Sequence, residues 1–175
     1  LYLLINYLIV KELFDKKIAL ISTMLLSFSS VLIDFSRFSW NPNLLPLFTL
    51  LTVYFVIKSL KTNKWYYFAL SGTFLSFAIQ LHYLALFLGI PIVVIYLIDL
   101  LKNKKQFISQ FPNLFICLFS FIFFTSPLIV FDLRHQFLNT KSFIALFQSS
   151  GTGFLTKFNS LFDSFYFLNL YSFNI

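Results

Sequence analysis

Seven polar side chains that interrupt apolar stretches of this chain could take part in chemistry. They include both arginines and both histidines of the sequence: Arg37, Asn41, Gln80, His82, Asp132, Arg134 and His135. Arginine offers a planar, permanently charged fork that suits phosphate, and histidine exchanges protons near neutral pH. These residue types favour binding of an anionic group, with Asp132 expected to pair with Arg134 and orient it. The alternative is that each residue only anchors the end of a membrane-spanning helix.

The elements that position these residues are predicted to be membrane spans. Hydrophobic residues make up 59% of the 175 residues, charged residues make up 11%, and the mean hydropathy is +0.85. A soluble domain is about 45–50% apolar and about 25% charged, and a disordered chain has lower hydrophobicity. The composition therefore excludes both classes and indicates an integral membrane protein.

The motifs of the chain do not support metal, disulfide or cofactor chemistry. The single cysteine, Cys117, excludes a disulfide framework and a cysteine-based zinc site. The two histidines are far apart in sequence, and no dinucleotide fingerprint, phosphate-binding loop or zinc-protease motif occurs. We therefore expect no metal and no cofactor.

Charge-free runs predict an all-α bundle of about six spans, since a span needs about 20 apolar residues. The runs are Leu1–Val10, Ile18–Ile33, Phe38–Ile57, Trp65–Ile98 and Phe107–Phe131. The fourth run is long enough for two spans, and Gln80-Leu81-His82 is its expected turn. The first run is short and does not begin with Met, so we expect that the N-terminus of a longer protein is missing.

The chain becomes less hydrophobic after the last predicted span. We therefore divide it into a multi-span membrane domain, residues 1–136, and an outer-face segment, residues 137–175. Between Phe154 and Phe165 apolar residues recur at helical spacing with polar residues between them. This pattern predicts an amphipathic helix lying in the membrane interface, with a seventh span as the alternative.

Lysines are concentrated in alternate loops of the predicted bundle. Three lie in each of the segments Lys11–Lys17, Lys58–Lys64 and Lys102–Lys105, whereas Arg37 and Arg134 belong to the other loops. The positive-inside rule then predicts a multi-pass plasma-membrane protein with cytoplasmic lysine loops and an extracytoplasmic candidate site. Three separated lysine groups do not form a continuous basic groove, so the net charge of +7 does not indicate nucleic-acid binding.

The order of the candidate segments resembles that of the family-39-type membrane glycosyltransferases. Ser36-Arg37 ends a span, Trp40-Asn41-Pro42 follows, and a later span ends in Gln80-Leu81-His82-Tyr83. The segment from Ser126 to His135 is similar to the closing span of the same core in bacterial members. This family includes the protein O-mannosyltransferases, the lipid A aminoarabinose transferase and the Rgt-type lipopolysaccharide transferases. The resemblance extends over residues 1–142.

The resemblance implies a GT-C fold with its active site at the outer membrane face. Members take a sugar from a polyprenyl-phosphate carrier and pass it to a hydroxyl on lipid, glycan or protein. Their catalytic acidic residue lies in a first outer loop that no residue here matches. The resemblance therefore implies that the base lies upstream of Leu1 and that this chain alone is inactive.

The residue types agree with such a transfer but leave alternatives open. Transfer needs a base for the acceptor hydroxyl and cationic groups that stabilise the departing phosphate. Arg37, His82, Arg134 and His135 suit the second task, and membrane lipids would surround the spans. A transporter or flippase of lipid-linked sugars is the main alternative, although its polar path should cross both leaflets. A non-catalytic membrane subunit is the second alternative.

Overall fold

The computed structural model describes residues 1–37, 41–102 and 104–148, and these form helices joined by short turns, without a strand. The predicted all-α class is therefore confirmed for this part of the chain. Its α-helices are α1 Tyr2–Leu13, α2 Lys16–Ser27, α3 Ser30–Ser36, α4 Leu45–Thr62, α5 Trp65–Leu81, α6 Gly89–Lys102, α7 Lys104–Arg134 and α8 Leu138–Gln148. Short 3-10 turns, Asn41–Leu44 and Tyr83–Leu88, precede α4 and α6.

Two of the described helices are long and apolar enough to cross a membrane. They are α4 and the Ile108–Arg134 part of α7, and Ala85–Asp99 is a shorter apolar helix. The 18 residues of α4 extend about 27 Å, close to the hydrocarbon thickness of about 30 Å. The predicted count of six spans is not confirmed. The predicted tail helix, Phe154–Phe165, lies outside the described residues.

One predicted span is interrupted, whereas one predicted turn is present. The run Ile18–Ile33 does not form one helix, because α2 ends at Ser27 and the Ser29 hydroxyl accepts a hydrogen bond from Leu32 N–H at the start of α3. The turn expected at Gln80-Leu81-His82 is present, since α5 ends at Leu81. There the backbone becomes extended, and the 3-10 turn leads into α6.

Helix α5 lies between α4 and α7 and packs extensively on both. A Cβ atom added to Gly72 would lie 2.2 Å from the carbonyl oxygen of Cys117, so the backbones of α5 and α7 are in direct contact. Small residues permit such close approach between membrane helices. Nearby, the hydroxyls of Ser76 and Thr125 are 2.9 Å apart.

The other face of α5 packs on α4 through aromatic rings. Phe55 stacks on Phe74 with ring centroids 5.3 Å apart, and Phe48 meets Phe77 edge to face at 5.7 Å. Such geometries stabilise aromatic pairs beyond the burial of their area. These contacts fix α4 and α5 side by side in opposite directions.

Helices α1 and α2 form a hairpin that joins the bundle at both ends of α4. Asn6 is buried and donates hydrogen bonds to Ser22 Oγ at 3.2 Å and Thr23 Oγ1 at 3.1 Å. Glu12, near the end of α1, pairs with Lys58 near the end of α4. We call this end of the bundle, which carries Lys11–Lys17 and Lys58–Lys64, the lysine end. The opposite end, where α5 stops, is the His82 end.

Candidate functional site

A cavity of about 630 Å³ opens at the His82 end, between the first three helices and the start of α4. Most of its wall is apolar, and the main apolar positions are Leu1, Leu3, Leu26, Val31, Leu32, Ile33 and Leu45. Its polar side chains include Ser27, Ser36, Asn43 and His82. Among the described residues that line it, none is a lysine, arginine or carboxylate. The cavity therefore suits an apolar chain with a small polar region at one side.

His82 reaches the cavity because α5 ends just before it. Its backbone N–H donates to Ala78 O at 3.1 Å, and its carbonyl accepts from Ala85 N–H at 2.9 Å. Ala78, Ile79 and Ala85 are buried together beneath this turn. The backbone of His82 is therefore fixed from both sides, and its half-buried imidazole forms part of the cavity wall.

Arg37 is located beside the same cavity. It follows Ser36, which lines the wall, and its backbone N–H donates to Asp34 O at 3.1 Å at the end of α3. Its side chain is exposed. His82 and Ser36 therefore belong to the cavity wall, and Arg37 follows Ser36 in the chain without being one of the lining residues.

Asn41 begins the 3-10 turn that leads into α4. The structure describes its backbone position only. Asn43, two residues later, lines the cavity although the sequence analysis did not select it. Its signal was present, because Asn43 belongs to the same Asn41-Pro42-Asn43 segment between two apolar runs.

Asp132 has a different role from the one expected. Its Oδ1 accepts from Asn139 N–H at 2.7 Å, and its Oδ2 accepts from both the N–H and the hydroxyl of Thr140. These bonds satisfy the otherwise unpaired N–H groups in the first turn of α8. Within the described ranges the ion pair is that of Glu12 and Lys58, so the expected pairing of Asp132 with Arg134 is not formed.

The corner between α7 and α8 does not line the cavity. Burial, followed by the charge of Asp132, raises the pKa of the Tyr83 phenol. Arg134 is exposed at the end of α7. His135 stacks on Phe131 at 4.1 Å, and its Nδ1 is 2.8 Å from the Phe131 carbonyl oxygen. The third candidate segment therefore lies outside the cavity.

Gln80 is directed at α7 rather than at the cavity. Its Nε2 lies 2.9 Å from the carbonyl oxygen of Phe124 and 3.0 Å from the Ser76 hydroxyl. Pro127 lies inside α7 and has no N–H for the carbonyl of Phe123, which instead accepts from the Ser126 hydroxyl at 2.6 Å. Gln80 therefore supports α7 at its proline and is a positioning residue.

Among the residues whose positions are described, no three His, Cys, Asp or Glu side chains are grouped so that they could hold a metal ion. Asp132 is occupied by α8, and Cys117 lies in the contact between α5 and α7, 3.4 Å from the Ser71 hydroxyl.

Comparison with known families identifies the class of protein. The chain matches the family model of dolichyl-phosphate-mannose-protein mannosyltransferases over residues 1–131. Together with the all-helical fold and its two membrane-length helices, this match defines a membrane glycosyltransferase of the GT-C kind. The chain belongs to the dolichyl-phosphate-mannose-protein mannosyltransferase family, and the resemblance found in the sequence is confirmed. No curated protein and no solved structure matches the chain in these comparisons.

Proposed function

We propose that the chain forms part of an enzyme that transfers a sugar from a polyprenyl-phosphate carrier to a hydroxyl on lipid, glycan or protein. The observation that carries this proposal is the cavity beside His82. Its apolar wall matches an isoprenoid chain, and His82 and Asn43 supply polar groups at its surface. The family membership supports a lipid-linked donor as the ligand.

Arg37 and His82 are proposed to contact the phosphate of the donor. The apolar wall is formed mainly by the first three helices, so a lipid tail held there would bring its phosphate toward the polar groups. Arg37, which follows the wall residue Ser36, supplies a permanent positive charge. Charge-assisted contacts to phosphate are strong and often bidentate. The role of these groups is to stabilise negative charge as the sugar leaves. Arg134 and His135 are left out of this contact set because neither they nor their neighbours in sequence line the cavity, whereas Arg37 directly follows the wall residue Ser36.

The orientation in the membrane is part of the proposal. The lysine groups around Glu12 and Lys58 lie at the opposite end of α4 from the cavity. With the positive-inside rule, this separation supports cytoplasmic lysine loops and an extracytoplasmic cavity in the plasma membrane. We also retain the division at residue 136, which is supported by the corner His135–Phe137 between α7 and α8.

The test is sugar transfer by the full-length enzyme in proteoliposomes with a polyprenyl-phosphate donor. Arg37→Ala and His82→Ala should each slow transfer by roughly tenfold or more, since one charge-assisted contact contributes about 1.5–3 kcal/mol. Arg37→Lys should recover only part of the rate because lysine lacks the guanidinium fork. Lys141→Ala, on the exposed surface of α8, is the control. Wild-type rates in both variants, or movement of the donor across the bilayer without transfer, would contradict the proposal.

A further inference from the structure

The lysine end holds two basic loops side by side. Glu12 of α1 accepts hydrogen bonds from Lys58 and from the Tyr54 hydroxyl, the latter at 2.7 Å, and both donors belong to α4. This contact joins the ends of α1 and α4, so the α1–α2 and α4–α5 loops lie at the same end of the bundle. The remaining lysines of this end are exposed, and we call them together the lysine surface: Lys11, Lys16, Lys17, Lys61 and Lys64.

The carboxylates of this surface are already engaged. Glu12 is held by Lys58 and Tyr54, and these two bonds lower the pKa of Glu12. Asp15 accepts from Ile18 N–H at 2.8 Å and caps the first turn of α2. Over the ranges that the structure describes, none of the five lysines lies within ion-pair distance of a carboxylate. The lysine surface therefore has an uncompensated positive charge.

Aromatic residues set the depth of the lysine surface in a bilayer. The ammonium group of Lys11 lies 6.0 Å from the ring centroid of Tyr7, and that of Lys64 lies 5.8 Å from the ring of Tyr66. Trp65, next to Lys64, is 60% exposed at the start of α5. Exposed Trp and Tyr residues favour the headgroup region of a membrane. In a bilayer, the lysines beside them would lie at the depth of lipid phosphates.

We propose that the lysine surface binds the headgroup of an acidic phospholipid from the surrounding bilayer. The phosphodiester supplies the negative charge that the surface lacks, and the rings of Tyr66 and Trp65 pack against the glycerol and upper acyl region. Clustered lysines beside membrane helices attract acidic lipids in this way. The inference is independent of sugar transfer, since the lysine surface and the cavity lie at opposite ends of the bundle.

Lipid retention tests this inference directly. The full chain is purified from mixed micelles of phosphatidylglycerol and phosphatidylcholine, and bound lipid is counted by native mass spectrometry. We expect phosphatidylglycerol to be retained several-fold over phosphatidylcholine, and 0.5 M salt should reduce this excess because screening weakens exposed charge pairs. The double variant Lys61→Gln/Lys64→Gln should lose most of the excess, whereas Lys141→Gln on α8 should retain it. Equal retention of phosphatidylglycerol and phosphatidylcholine by the wild type would overturn the proposal. An equal loss of the phosphatidylglycerol excess in the control Lys141→Gln would overturn it as well.

A second variant separates a built site from simple charge attraction. Glu12→Ala makes the surface more positive but removes the bonds that join the two loops. A built site predicts weaker retention of phosphatidylglycerol in Glu12→Ala, whereas attraction by net charge alone predicts stronger retention. Inorganic phosphate at millimolar concentration should not displace the lipid. Stronger retention in Glu12→Ala, or full displacement by phosphate, would contradict the proposed lipid site.

Discussion

The side-chain amide of Gln80 donates a hydrogen bond to the backbone carbonyl of Phe124 at 2.9 Å, three residues before Pro127. A proline inside a helix leaves one carbonyl without its N–H partner and bends the helix locally. Gln80 and Ser126 bond two consecutive carbonyls at this point, those of Phe124 and Phe123. The end of α5, next to His82, is thereby tied to α7 beside Pro127.

Replacing Gln80 with Leu should loosen this connection. The loss of a hydrogen bond to a backbone carbonyl should lower the free energy of unfolding by about 1 kcal/mol. In the full-length enzyme, the KM for the donor should rise by a larger factor than kcat falls. The reason is that His82 in the cavity wall is displaced, whereas every side chain proposed to contact the donor is still present. Chemical unfolding in detergent and donor titrations measure the two effects. Ser142→Ala, which removes a comparable hydroxyl bond within α8, is the control, and an unchanged donor KM in Gln80→Leu would contradict the positioning role.

The two described glycines in helices provide a matched pair for the α5–α7 contact. Gly72→Ala places a methyl group 2.2 Å from the Cys117 carbonyl, so the helices must separate and the free energy of unfolding should fall by about 1–3 kcal/mol. Gly89→Ala meets nothing within 4 Å and should be neutral or slightly stabilising. Thermal unfolding in detergent compares them. Equal stability of the two variants would show that α5 and α7 are not in backbone contact.

Asp132→Ala should destabilise the first turn of α8. Loss of a helix cap costs about 0.5–2 kcal/mol, and the N–H groups of Asn139 and Thr140 would exchange with solvent faster. Hydrogen exchange measured by mass spectrometry detects this change. Arg134→Ala should leave exchange in α8 unchanged, since Asp132 does not pair with Arg134. If exchange in α8 were faster in Arg134→Ala but not in Asp132→Ala, the result would support the pairing of Asp132 with Arg134 that the sequence analysis expected.

The contact of Glu12 with Lys58 should make stability depend on pH. Hydrogen bonds from Lys58 and Tyr54 lower the folded-state pKa of Glu12 below its ordinary value. Its contribution is therefore complete above the ordinary glutamate pKa and is lost as the pH falls through the depressed folded value. Wild type should exceed Glu12→Gln in stability at neutral pH, and the difference should vanish in acid. Unfolding midpoints measured from pH 7 to pH 3 test this, and a difference that stays constant would contradict it.

The parts of the fold that follow from hydropathy and residue type could be predicted from the sequence. The polar Gln80-Leu81-His82 interruption marked the end of α5, and the motif order indicated the family that the comparison confirms. The break between α2 and α3 was missed, although Ser27, Ser29 and Ser30 interrupt the apolar run there and serine is a preferred N-cap residue. It depends on a cap formed by one serine hydroxyl.

Side-chain roles were harder to predict because they depend on partners distant in sequence. Asp132 and Arg134 are close along the chain, yet Asp132 bonds to residues seven and eight positions later. Gln80 interrupts an apolar stretch, as a ligand would, but its partner is a carbonyl of α7. His82 and Ser36, the neighbour of Arg37, line the same cavity, whereas Arg37 itself is not one of its lining residues.

The most direct test of the account is to map where the donor lipid contacts the protein. A polyprenyl-phosphate probe with a photoreactive diazirine in its isoprenoid chain is added to the full-length enzyme in nanodiscs, and adducts are located by mass spectrometry. The account predicts adducts on cavity residues of α2 and α3, such as Leu26 and Val31, that compete with unlabelled donor and decrease in His82→Ala. Adducts confined to the exposed face of α7, at Phe119 and Phe123, would show that the cavity does not bind the donor.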